Sequence, residues 1–249
     1  MSFDTVDLIT GKVFQVTWDT GRRCNYDCSY CPITRHDNFS KHATLDELKA
    51  NTNFLFEYID LHMQYRDFKH TSISFTGGEP TVNPNFIPFI QYLKSEYESK
   101  YADRWKANFA LTSNGAMGEK MAQKVMENMR HITVSYHAES EEKLKKQVRD
   151  RILQFHTEGR KYGLTLSVNV MFHAEHFDEC KDLCSFLDTH GVKYVPRVIG
   201  EEKDSRATFA HKYNDDQLQY MKDHWNKKNA KLNNEKEAAA VLSAVGQKT

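Results

Sequence analysis

The chain has 249 residues, and its 34 Lys and Arg against 34 Asp and Glu leave a formal net charge of zero. That length suffices for one domain with a full core, and the balanced charge excludes the basic footprint of a nucleic-acid binder or of a protein held to an anionic membrane. No apolar run reaches the roughly 18 residues of a transmembrane helix and no signal peptide opens the sequence, so a cytoplasmic location is expected.

Short alternating segments are each followed by a stretch of helical period, the pattern of βα units around a parallel sheet. The predicted strands are Val13 to Asp19, Thr71 to Thr76, Asn108 to Ser113, His131 to His137, Leu164 to Phe172 and Lys193 to Ile199. Between the first two, Thr44 with Glu47 reads as a capping box; after the second, Asn83 followed by Pro84 reads as a helix cap with proline at the first helical position. Four apolar stripes mark helices: Phe86, Phe89, Ile90, Leu93 and Tyr97; Met117, Met121 and Val125; Leu144, Val148, Ile152 and Phe155; Phe177, Cys180, Cys184 and Leu187. The methionines and the cysteine pair read as core. Residues 1–212 are expected to form this core. Residues 213–249 would add a helix bearing Leu218, Met221 and Trp225 on one face, then, from Asn226, a polar tail suited to a solvated helix or a linker.

The two faces of the strands differ. Ile73 and Phe75 oppose Ser72, Ser74 and Thr76; Ile132 and Val134 oppose Thr133, Ser135 and His137; Leu166, Val168 and Val170 oppose Ser167 and Asn169. A closed eight-stranded barrel fills its lumen with bulky branched side chains. A polar inner row instead predicts an α/β fold of the partial, open (β/α)6 TIM-like kind, with parallel strands around a polar ligand.

In such folds ligand sites form at the carboxyl ends of the strands, and the unusual residues fall there. Cys24, Cys28 and Cys31 follow the first strand and offer three soft ligands with no fourth. A closed zinc site needs four, whereas an open position suits an iron-sulfur cluster. His36 or His42 could supply the fourth ligand, so a zinc-stabilised, non-catalytic binding module stands as an alternative. Gly77-Gly78-Glu79-Pro80 follows the second strand, Ser113-Asn114-Gly115 ends the third, Ser135 to Glu139 ends the fourth, and Arg197 sits late in the sixth. Taken alone, the two glycine-containing segments are also ordinary turns.

Together the Cys-x3-Cys-x2-Cys loop, with Tyr30 directly before its third cysteine, and Gly-Gly-Glu-Pro after the second strand resemble the two motifs of the radical S-adenosylmethionine (SAM) enzymes, over roughly residues 13 to 200. The resemblance implies a 4Fe-4S cluster on Cys24, Cys28 and Cys31, with SAM chelating the fourth iron. One electron, from a donor such as flavodoxin or ferredoxin, then yields a 5'-deoxyadenosyl radical that abstracts hydrogen from substrate, chemistry sensitive to oxygen. It further implies that Gly77 and Gly78 let backbone approach the methionine moiety, with Pro80 completing the loop. Glu79 or nearby carbonyls would meet its ammonium group, Tyr30 the adenine, and Ser113 and Asn114 the ribose. Ser135 and Asn169 would complete the polar cage. His137 stands between a cofactor-binding and a structural role, Arg197 between binding an anion and pairing with Glu201 or Glu202. No catalytic side chain is assigned. For substrate the reading leans to peptide or protein modification; the alternative is a small molecule or nucleotide, as in relatives of 7-carboxy-7-deazaguanine synthase or the nucleotide dehydratases similar to viperin.

Overall fold

The computed structural model describes residues 13–32, 34–66, 68–200 and 210–232. Six parallel strands form an open sheet whose order is the chain order: β1 (Val13–Asp19), β2 (His70–Thr76), β3 (Lys106–Ser113), β4 (His131–His137), β5 (Thr165–Phe172) and β6 (Tyr194–Val198). Each coincides with its predicted counterpart to within two residues. The helices are α1 (Leu45–Ala50), α2 (Thr52–Arg66), α3 (Phe86–Lys100), α4 (Glu119–Asn128), α5 (Glu142–Thr157), α6 (Phe177–Thr189) and α7 (Asp215–Leu232).

Local chemistry sets the helix starts. Thr44 and Glu47 form the expected capping box on α1. Helix α3 begins at Phe86, later than Asn83-Pro84 suggested, because Asn83 closes a turn of its own. Its Oδ1 accepts the Asn85 amide at 2.9 Å and its Nδ2 donates to the Ala43 carbonyl at 3.1 Å. Asparagine favours such a side-chain turn as readily as a cap. Met117 is buried but precedes α4, so it belongs to the core without belonging to the helical stripe.

The outer strand face and the helices make the core. Ile73, Phe75, Leu111, Ile132, Val134, Val168 and Val170 are buried among Phe86, Phe89, Ile90 and Leu93 of α3, Ile152 of α5 and Leu183 of α6. Cys180 and Cys184 are buried there too. The inner face stays small and polar. Its lower tier is a neutral network in which His131 Nδ1 lies 2.8 Å from Thr165 Oγ1 and Thr133 Oγ1 lies 3.1 Å from Ser167 Oγ.

Helix α7 closes onto the same core. Met221 and Trp225 are buried, the Trp225 ring sits 5.4 Å from that of Phe172, and Tyr213 Oη donates to the Phe172 carbonyl at 2.6 Å. Helix therefore continues to Leu232, inside the segment read from Asn226 onward as a polar tail. Residues 233–249, and Glu201 and Glu202, lie outside the described residues. Among the described residues no helix is long and apolar enough to cross a membrane.

Candidate cofactor site

The cysteine loop leaves β1 and is tied to a later segment by a short bridge. The Cys24 amide donates to the Asp37 carbonyl at 2.7 Å, and the Asp37 amide to the Arg22 carbonyl at 2.9 Å. The Asp37 carboxylate accepts from Ser40 through both its amide and its hydroxyl, each at 2.6 Å.

The glycine loop after β2 continues this pairing upward. Gly78 donates to the Gly21 carbonyl at 2.8 Å, and the Glu79 amide to the Arg23 carbonyl at 2.9 Å. A Cβ on Gly78 would lie 2.3 Å from the Arg22 carbonyl oxygen and 2.4 Å from that of Arg23. At Gly77, whose φ is +131°, it would lie 2.5 Å from the Gly21 carbonyl oxygen. The absent side chains make room for the start of the cysteine loop, and both glycines also line the cavity described below.

Glu79 is the joint of the rim. It is buried, and its carboxylate accepts from Thr81 Oγ1 at 2.6 Å, the Thr81 amide at 3.1 Å, Ser113 Oγ at 2.9 Å and the Asn114 amide at 2.7 Å. Burial pushes this carboxyl above its ordinary value, and the four donors act against that rise. Asn114 in turn donates to Asn25 Oδ1 at 2.8 Å and places its amide nitrogen 3.9 Å from Cys24 Sγ, which also accepts the Tyr26 amide at 3.4 Å. Amide donors on a ligating sulfur tune an iron-sulfur centre.

The end of β4 supports the far side of the loop. Tyr30 Oη is hydrogen-bonded to His137 Nδ1, and the two rings stack with centroids 5.9 Å apart. Burial drives His137 down to about 4, so its ring is neutral near pH 7. Glu139 accepts the Ser29 amide at 2.6 Å and the Ser29 hydroxyl at 2.7 Å. Burial pushes Glu139 up, but hydrogen bonds from His173 and Ser29 outweigh it and hold the carboxyl below its ordinary value.

These loops line a half-open cavity of about 310 Å³. Its wall contains Cys24, Cys28, Cys31 and Tyr30, both glycines, Ser113 with Asn114, and Ser135 with His137. Glu79 and Pro80 stand behind that wall. Asn169 and Arg197 lie outside it as well; Arg197 is exposed and its Nε donates to Asn169 Oδ1 at 3.2 Å. The sequence reading missed Tyr26 and Met171, which also face the cavity, and had His36 only as a zinc ligand. Extending the β5 alternation by one step from Asn169 would have found Met171.

Three thiols, that of Cys28 buried and those of Cys24 and Cys31 half-buried, and one orphaned nitrogen test which ligand fits. Burial pushes Cys24 up to about 11 and Cys28 higher still, so the thiolates require a cationic partner to form. His36 is 6 % exposed, its Nε2 faces Asp27 Oδ1 at 3.7 Å, and its Nδ1 has no hydrogen-bond partner among the described residues. Such a buried, unpaired nitrogen costs about 1–3 kcal/mol, a cost that a polar ligand in the cavity removes. Among the described residues no group of three or more His, Cys, Asp and Glu is gathered around a single-ion position. The three thiols beside a small polar cavity fit a thiolate-held cluster next to a small polar molecule.

Residues 18–187 match the model of the Radical SAM superfamily, and the chain belongs to that superfamily. Its cofactors are accordingly a 4Fe-4S cluster and SAM. A probable GTP 3',8-cyclase of Sulfurisphaera tokodaii is 23% identical over 175 residues, which cover 68% of this chain and 50% of that protein. The solved structure of histidine-tagged anSMEcpe with bound AdoMet superposes with a TM-score of 0.62 at 14% identity, covering 88% of this chain and 62% of that one. Native anSMEcpe with AdoMet and the Cp18Cys peptide gives 0.58 at 14% identity, covering 87% and 62%. The chain thus spans about half the length of the curated relative it matches, and at these identities the structural likeness is one of fold.

Proposed function

We infer that this chain is the SAM-cleaving core of a radical enzyme acting on a peptide or protein. When bound, the cluster and SAM supply a reductive cleavage to methionine and a 5'-deoxyadenosyl radical, which takes a hydrogen atom from the substrate. Cys24, Cys28 and Cys31 hold the cluster, Tyr30 flanks the adenine, the backbone at Gly77 and Gly78 borders the methionine end, and Ser135 with Asn169 lines the approach from the lumen. The electron donor is a small redox protein such as flavodoxin or ferredoxin, in a reducing cytoplasm where free thiols persist.

The observation that carries the reading is three free thiols on one loop, Cys28 buried and Cys24 and Cys31 half-buried, lining one cavity. For the substrate, the fold likeness to anSMEcpe, solved with AdoMet and a bound peptide, supports a peptide. Anaerobic reconstitution with iron and sulfide tests the first part: a brown protein that releases 5'-deoxyadenosine on reduction is expected, and Cys28→Ala abolishes both. One zinc with no iron or sulfide in protein purified without oxygen would return the binding-module reading. Deuterium transfer into 5'-deoxyadenosine from labelled peptides, and none from labelled GTP, is the expected outcome for the substrate.

A further inference from the structure

The arc between Cys28 and Cys31 is Ser29-Tyr30, and its conformation sets how far apart two thiols stand. Ser29 has both of its hydrogen-bonding groups on one carboxylate, that of Glu139, across 110 positions of sequence. Glu139 is itself backed from the next strand. His173, buried just past β5, accepts the Glu175 amide on Nδ1 at 3.2 Å, which leaves Nε2 to carry the proton 3.6 Å from Glu139 Oε2. Two hydrogen bonds to a charged acceptor are the strong kind, and a ligand loop held this way has little freedom to drift. A fixed anion beside Cys28 also acts on the electrostatics of whatever that thiolate binds.

We propose that Glu139 is a positioning residue of the cluster site: through Ser29 it fixes the Cys28 to Cys31 arc, and its charge holds the cluster's reduction potential low. The second half rests on the radical SAM reading, and the first does not.

The experiment therefore has an arm without cluster and an arm with it. In the apo-protein, hydrogen-deuterium exchange at the Ser29 amide should rise at least tenfold in Glu139→Ala, with Ser29→Ala leaving the amide bond in place and exchange near wild type at that position. In the reconstituted protein, Glu139→Gln keeps the shape and one acceptor but loses the charge; iron content should stay within a quarter of wild type while the midpoint potential moves positive. Glu139→Ala should lose more than half its iron. Unchanged Ser29 exchange in Glu139→Ala overturns the clamp, and an unchanged midpoint potential in Glu139→Gln overturns the electrostatic role. A residue serving only the fold would lower the melting temperature and leave the potential where it was. If wild type itself takes up no cluster, the cofactor assignment fails while the apo exchange still decides the clamp. If Glu139→Ala does not fold, Ser29 exchange in Glu139→Gln, which loses one of the two acceptor oxygens, decides it by the same comparison.

Discussion

Glu79 receives four donors from Thr81, Ser113 and Asn114, so its removal frees buried groups on two loops at once. Glu79→Ala should lower the stability of the apo-protein by about 3 kcal/mol in urea titrations, since each buried donor left unpaired costs on the order of 1–3 kcal/mol. Gly78→Ala tests the neighbouring contact. The added methyl meets the Arg22 and Arg23 carbonyls, so the loss should appear as reduced iron uptake together with weaker SAM binding. Gly118→Ala, where nothing lies within 4 Å of the new carbon, is the control and should change stability by less than about 0.5 kcal/mol. Sparing of the cluster in Gly78→Ala would show that the glycine serves the ligand and not the chain. The identities of Cys24, Cys28, Cys31 and Gly78 were legible because each is demanded by local chemistry. The distant partners of Glu79 and Glu139, Ser113, Asn114 and Ser29, were not, because they sit 34 to 110 positions away and no period in the sequence connects them.

The described residues from Arg22 to Ser40 have little regular structure, and one carboxylate, that of Asp37, ties the far end of the segment. Asp37 is held below its ordinary value chiefly by the Ser40 hydroxyl and amide, with the Phe39 amide and Arg22 adding to the effect. A depressed carboxyl contributes stability that is fully present above its unfolded value and lost as pH falls through the folded one. Proteolysis or amide exchange of residues 34–40 should therefore increase as pH drops below about 4, and Asp37→Asn should show faster exchange at neutral pH with no such acid dependence. The strands were legible at this scale because period-two alternation survives in β2, β4 and most of β5. The start of α3 was not, since Asn-Pro serves a cap and a side-chain turn equally well and only the Ala43 carbonyl decides between them.

For the molecule as a whole, the sheet needs α7. Trp225 and Met221 cover Phe172 at the β5 end of the core, and Trp225→Ala should cost about 3–5 kcal/mol, read as a lower melting temperature. A chain cut after residue 212 would expose that surface and should aggregate, which bears directly on whether residues 213–249 are an appendage or part of the core. The open six-stranded form itself was legible from the polar inner row, a property of composition by face and so independent of exact boundaries. Strand order equal to chain order has a further consequence in time. On the ribosome the cysteines emerge early, but their supports at Gly78, Asn114 and Glu139 follow one after another, the last more than a hundred residues later. The thiols therefore wait for their last brace until four of the six described strands have been made.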